Sequence, residues 1–111
     1  MRYRVEVVPE AEAAIAASVR YIAVDCRSPI NAERWLQKLL HAIETLENSP
    51  RRCPLAPEDS LVSYEVRMRV IGGYLLLFTI DDSAGKVHVM HFRHGSMLPR
   101  AEHLPANPPG G

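Results

Sequence analysis

Two pairs of basic side chains have the spacing that places them on one face of a β-strand. Arg67 and Arg69 are two residues apart, and so are His91 and Arg93, with His94 directly after them. Because successive side chains of a strand point to opposite faces, each pair shares a face. Guanidinium groups hold phosphate oxygens, and a histidine with a pKa near neutrality moves a proton during RNA cleavage. The spacing is therefore compatible with a phosphodiester-binding site.

The same spacing has a simpler interpretation, because alternating charged side chains are ordinary on any solvated face of a sheet. Glu65 and Glu47 are candidate partners for Arg67, and Glu65 also reduces the positive charge beside the arginines. On spacing alone, the solvated face is the favoured interpretation.

Histidines and cysteines are the other residues that could carry chemistry. His88, His91 and His94 step by three, which on a regular strand puts His88 and His94 on one face and His91 on the other. One site with three histidine ligands is therefore not expected. Cys26 and Cys53 form neither a metal-binding motif nor a disulfide framework, and no glycine-rich nucleotide loop is present. We expect neither a metal nor a cofactor.

Composition limits the class of protein. The chain has 111 residues, 47% of them apolar, with 13 Lys and Arg against 13 Asp and Glu. This size and composition predict one domain with a real core, and the balanced charge removes the simplest argument for a nucleic-acid binder. No run of about 18 apolar residues and no apolar N-terminal region is present, so we expect a cytoplasmic protein without a membrane contact.

The first half of the chain predicts one strand and two helices. Arg2–Val8 alternates between polar and apolar residues as a strand does. Pro9 ends that strand and begins an alanine-rich helix that extends to about Asp25. Ser28 and Pro29 give the N-cap and first position of a second helix. Its apolar residues repeat every three or four positions: Ala32, Leu36, Leu39, Ile43 and Leu46.

The second half predicts three strands. Tyr64–Ile71 alternates, Tyr74–Asp81 is apolar almost throughout, and Lys86–His94 forms the last strand. The two glycines between the first two of these runs predict a tight hairpin. Residues 49–63 show no periodicity and predict a surface loop.

The element order is β-α-α-β-β-β. It predicts a single α+β domain in which a helical hairpin packs on a mainly antiparallel four-stranded sheet. We expect the helices to cover one face and the arginines to lie on the other, bare face. The domain spans residues 1–98, and residues 99–111 form a C-terminal tail rich in Pro and Gly, irregular or mobile.

Four blocks of sequence, in this order, resemble the RelE/ParE toxin superfamily, the plasmid-stabilisation toxins of bacterial type II toxin–antitoxin modules. The first comprises residues 8–12 (VPEAE), 21–23, 28–29 and 32–35. The others are residues 46–58 (LENSPRRCPLAPE), 74–81 (YLLLFTID) and 91–95 (HFRHG). No block is specific alone, but together they extend the resemblance over residues 2–100.

The resemblance implies a toxin that a partner antitoxin wraps and neutralises, in a hetero-oligomer of the two. It implies a ParE-like toxin that inhibits growth by acting on DNA gyrase or on an unassigned target. The alternative is a RelE-like, ribosome-dependent mRNA endoribonuclease, which needs no metal or cofactor. A second alternative is an inactive toxin-like binding module. Fold alone does not separate these activities.

Residue by residue, the match to the nuclease branch is incomplete. Tyr74 is followed by Leu75, where the RelE-type pattern has an arginine, and no tyrosine follows Gly95. If the protein is a nuclease, the resemblance implies that phosphate binding and proton transfer fall to Arg67, Arg69, His91, Arg93 and His94. The departures favour a mode of action other than RNA cleavage, either gyrase inhibition or an unassigned activity.

Overall fold

The sheet and both helices appear where periodicity predicts them. A computed structural model describes residues 2–109. Its main elements are β1 (Arg4–Val7), α1 (Pro9–Arg20), α2 (Pro29–Thr45), β2 (Arg67–Ile71), β3 (Tyr74–Asp81) and β4 (Lys86–His94). The predicted β-α-α-β-β-β order and the α+β class are confirmed.

The strands form one mixed sheet in the order β1-β4-β3-β2. Strands β2, β3 and β4 are antiparallel neighbours, and β1 lies parallel to β4. Gly72 makes the turn between β2 and β3 at φ 58°, a conformation that glycine adopts without steric cost. β1 and β2 lie at opposite edges of the sheet, and the chain between them, which includes both helices, crosses from one edge to the other.

Proline begins each helix. Pro9 and Pro29 both stand in the first turn, where the missing N–H costs no helical hydrogen bond. Ser28 stands at the N-cap of α2 as predicted, but its side chain makes no capping hydrogen bond. Helix α1 continues into a wider π-turn over Tyr21–Asp25. Neither helix within residues 2–109 has the length and hydropathy of a membrane span.

The main core lies between the helices and one face of the sheet. Leu39 and Leu46 of α2 are buried against Leu76 and Phe78 of β3 and Val89 of β4. Leu36 and Ile43 are partly buried beside them. The apolar repeat of α2 therefore faces the sheet, as its spacing predicts.

The opposite face of the sheet is covered too, so the expectation of a bare face is wrong. Leu77 and Met90 pack there against Ala56, Val66 and Leu104, forming a second core. Strand β3 is apolar on both sides, and an apolar strand is stable only when both faces are covered. The segment before β2 and the C-terminal tail supply this cover.

Residues 49–63 are consequently more than a surface loop. Pro50, Cys53, Ala56 and Glu58 are buried within this segment. Backbone bonds fasten it to the sheet, with the Ala56 N–H donating to the carbonyl of Val66 at 2.8 Å. In the tail, Leu104 is only 7% exposed, so that part of the tail is packed against the sheet.

Truncating Leu39 should destabilise the fold. Leu39→Ala removes a side chain that is fully buried between α2 and the sheet. We expect a loss of about 2–5 kcal/mol in the free energy of unfolding, measured by urea denaturation. Leu40→Ala is the matched control, because Leu40 is 47% exposed. Equal losses for the two variants would contradict this placement of the core.

Candidate functional site

A β-bulge in β4 decides which face each histidine occupies. Leu77 pairs with His91 and Phe78 pairs with Val89, so Met90 is an extra residue on β4. The extra residue reverses the alternation beyond it. His88 and His91 therefore share one face, and His94 lies on the helix-covered face beside Tyr74. The prediction that His88 and His94 share a face is wrong.

The five predicted site residues are divided between the two faces of the sheet. Arg67 and Arg69 pair with Phe78 and Leu76, which face the helices. Across the sheet, His91 and Arg93 pair with Leu77 and Leu75, which face the second core. His94 lies on the helix face, at the end of β4. His91, Arg93 and His94 nevertheless line one cavity of about 400 Å³ at the end of β4, which Arg67 and Arg69 do not line, and the catalytic role of all five residues stays a prediction.

Arg93 lies in the most enclosed position of the five, with 4% of its surface exposed. Its guanidinium holds both carboxylate oxygens of Glu58, with Nε–Oε2 at 2.6 Å and Nη2–Oε1 at 3.1 Å. Nη1 also donates to the carbonyls of His94 and Met97, at 3.1 and 3.0 Å. Glu58 is 1% exposed. A guanidinium engaged in this way has no exposed edge for a phosphate.

The Arg93–Glu58 pair is a structural link between distant parts of the chain. It fastens the short helix Pro57–Leu61 to the end of β4. A buried pair of this kind tolerates the loss of neither partner alone, because the remaining charge is left desolvated. Sequence periodicity did not identify Glu58, since its partner lies 35 residues away and only the fold brings them together.

Arg67 also has a structural role. Its Nε donates to Glu65 Oε1 at 2.8 Å, and its Nη1 donates to the carbonyls of Cys53 and Arg51 at 2.6 and 3.1 Å. The pairing with Glu65 is one of the two alternatives that the sequence suggests. These bonds hold residues 51–53 against β2.

Arg69 differs from both of these arginines. Its Nε is buried, and within residues 2–109 it has no hydrogen-bond partner. No carboxylate of the described chain lies within salt-bridge distance of its guanidinium. Of the three predicted site arginines, Arg69 is therefore the one whose charge is uncompensated.

Each histidine of the predicted site has a different neighbour within residues 2–109. His91 packs against His103 of the tail, with ring centroids 4.7 Å apart. Burial lowers the pKa of His91, and the neighbouring His103 lowers it further. His94 is exposed, and its Nδ1 is 2.7 Å from Ser96 Oγ. Within residues 2–109, no cluster of three His, Cys, Asp or Glu residues is arranged to hold a metal ion.

An apolar groove between α1 and α2 is a second candidate site. It has a volume of about 540 Å³, and its lining includes Ile15, Val19, Leu36 and Leu40. Leu40 is 47% exposed there. The sequence indicated the apolar stripe of α2, but only the structure shows that part of it stays open. Exposed apolar surface of this kind commonly marks a protein-binding site.

Comparison with known proteins gives a match to one family model and a similar fold among solved structures. Residues 5–99 match the family model described as ParE toxin of type II toxin–antitoxin system, parDE. A chain of the chromosomal ParDE toxin–antitoxin system from P. aeruginosa superposes with a TM-score of 0.65 at 14% identity. That alignment covers 84% of this chain and 96% of the other.

A second solved structure is the RelBE2 toxin–antitoxin complex from Mycobacterium tuberculosis. Its TM-score is 0.45 at 23% identity, over 85% of this chain and 99% of the other. The comparison with curated protein sequences found no match.

Removing Glu58 should destabilise the protein more than removing any exposed acid. Glu58→Ala leaves the buried Arg93 charge unpaired, which we expect to cost about 3–5 kcal/mol in urea unfolding. The double variant Glu58→Leu, Arg93→Met should recover most of this loss, because no buried charge remains.

Glu102→Ala is the matched control for this cycle. Glu102 contacts Arg100 on the surface, where both side chains are mostly exposed, so its removal should leave stability nearly unchanged. A loss below about 1 kcal/mol for Glu58→Ala would show that the pair does not hold the segment to the sheet.

Proposed function

Because the chain belongs to the ParE toxin family of type II toxin–antitoxin systems, we propose that it inhibits growth by acting on DNA gyrase. A cognate antitoxin neutralises it. One observation supports gyrase over RNA cleavage as the activity. The guanidinium of Arg93 is buried and is held by Glu58 and two backbone carbonyls. Toxins that act on gyrase require no nuclease residues.

The rest of the predicted nuclease set supports the same choice. Arg67 is engaged by Glu65 and by two backbone carbonyls, and it lies on the other face of the sheet from His91. A general acid or base must lie within hydrogen-bond reach of the phosphodiester that the arginines hold. A nuclease mechanism would therefore need the Arg93 pair to open and the segment around Glu58 to leave the sheet.

The antitoxin partner is supported by the groove between α1 and α2. Its lining is mainly aliphatic, with Glu12 and Arg20 as its charged residues. An amphipathic helix binds such a groove by burying its apolar face, and a disordered segment can fold as it binds. The similar chain of the P. aeruginosa ParDE system also belongs to a toxin–antitoxin pair. We place toxin and antitoxin together in the cytoplasm, where gyrase and its DNA are found.

Two assays on the purified protein test the proposed target. With purified gyrase and plasmid DNA, we expect stalled gyrase–DNA complexes, detected as linear plasmid after detergent and protease treatment. In a translation extract, we expect the mRNA to remain intact. Reactions without gyrase are the control, because linear DNA in them would indicate a contaminating nuclease.

The other outcomes distinguish the rivals. Codon-specific mRNA cuts without an effect on gyrase would replace this proposal with the ribosome-dependent nuclease. No effect in either assay, together with tight antitoxin binding, would identify an inactive binding module.

A charge placed in the groove should weaken antitoxin binding without unfolding the toxin. Leu40→Glu puts a carboxylate on an apolar surface that is already 47% exposed. We expect the affinity for the cognate antitoxin to fall at least about tenfold in calorimetric titration. Ile30→Glu is the matched control, because Ile30 is 66% exposed outside the groove. Equal losses for the two variants would exclude this groove as the docking site.

A further inference from the structure

A second groove, separate from the first, lies between α2 and the edge strand β2. It has a volume of about 480 Å³. The α2 side contributes Arg34, Lys38 and His41, which recur at helical spacing and so share one face. Arg69 of β2 lines the groove from the sheet.

The lining of this groove carries positive charge and no acidic residue. Arg34, Lys38 and Arg69 contribute three full charges. Among residues 2–109, none of the three has a carboxylate within 4.0 Å. The protein as a whole is neutral, and five of its nine other arginines pair with a carboxylate, whereas this groove brings three unpaired cations together without an acid. The positive charge of this groove is therefore a local feature.

Arg69 shows which kind of ligand the groove fits. Its Nε is buried without a partner, and a buried donor without an acceptor is unfavourable. The residue as a whole is only partly buried, so its charge lines the groove together with the charges of α2, which have the same sign. An anion bound in the groove would pair with these cations and screen their repulsion.

The backbone beside Arg69 is open for a further strand. The Met68 N–H donates outward, away from β3, to the carbonyl of Pro54 at 3.0 Å. Because strand hydrogen bonds alternate in direction, Val70 also points outward. No segment of residues 2–109 bonds to Val70 on that side, and its side chain is 51% exposed. The outer edge of β2 is thus covered at its start and open at its end.

We propose that this basic groove and the open end of β2 together bind an extended, acidic peptide segment of a partner protein. The peptide pairs with Val70 through its backbone, as an added strand does. Its alternate side chains are carboxylates that face Arg69, Arg34 and Lys38. The open strand edge favours a peptide over a nucleic acid, which cannot continue a β-ladder.

The inference does not depend on the gyrase target, because the test uses the toxin alone. The probe is a labelled hexapeptide of alternating glutamate and valine, and its binding is followed by fluorescence anisotropy. A hexapeptide with serine in place of glutamate is measured beside it, and so is a single-stranded hexanucleotide, whose five phosphodiesters carry more negative charge than the three glutamates. We expect only the glutamate peptide to bind well.

Charge variants locate the site. Arg69→Gln and the double variant Arg34→Gln, Lys38→Gln should each weaken the peptide about tenfold or more, the effect of losing a charge-assisted hydrogen bond. Arg4→Gln removes the same charge from β1, the opposite edge of the sheet, and should leave the affinity unchanged. Arg69→Gln should not lower the melting temperature, because it removes an unpaired charge.

Val70→Pro tests the added strand. Proline removes the outward N–H and leaves the bonds between β2 and β3 in place. It should weaken the glutamate peptide, and its melting temperature is compared with that of Val70→Ala to show that the fold is kept.

Three outcomes would overturn the proposal. These are the absence of peptide binding, equal losses for Arg4→Gln and Arg69→Gln, and tighter binding of the hexanucleotide at the same residues. The last would assign the groove to nucleic acid.

Discussion

Strand β3 is apolar on both faces, and the rest of the structure depends on covering both. Leu76 and Phe78 require one cover, which the two helices provide. Leu77 and Met90 require another, which comes from the segment before β2 and from Leu104 in the tail. A sheet flanked by helices alone would expose the second set to water. The chain after α2 is thus recruited into the fold by the hydrophobic effect.

The second cover determines the chemistry that remains available. It buries Arg93 and must then neutralise it, which Glu58 does from within the same covering segment. This pairing removes Arg93 from solvent. Among the predicted site arginines, Arg93 is the one that shares a face of the sheet with His91. Accessible grooves remain at the margins of the sheet, between the helices and along the open end of β2.

Local features of the fold could be predicted from the sequence, and long-range features could not. Alternation and helical repeats identified every strand and both helices, since these patterns depend on neighbours along the chain. β1 pairs in parallel with β4, at the edge of the sheet opposite β2. The periodicity of the sequence does not specify which edge strand β1 pairs with. The bulge at Met90 adds one residue to a regular pattern, and so the faces of His88 and His94 were predicted wrongly. Glu58 stood in a segment without periodicity, and its burial depends on Arg93.

The arginines illustrate why residue type and spacing are weak evidence for a site. Arg67, Arg69 and Arg93 look equivalent in the sequence, yet their surroundings differ completely. Arg67 is bound to Glu65 and two carbonyls, Arg93 is buried with Glu58, and only Arg69 lacks a partner within the described chain. A charge that the fold has already satisfied contributes to stability and has little left to offer a ligand. The uncompensated charge is the one that points to binding, and it becomes visible only when the partners of every other charge are known.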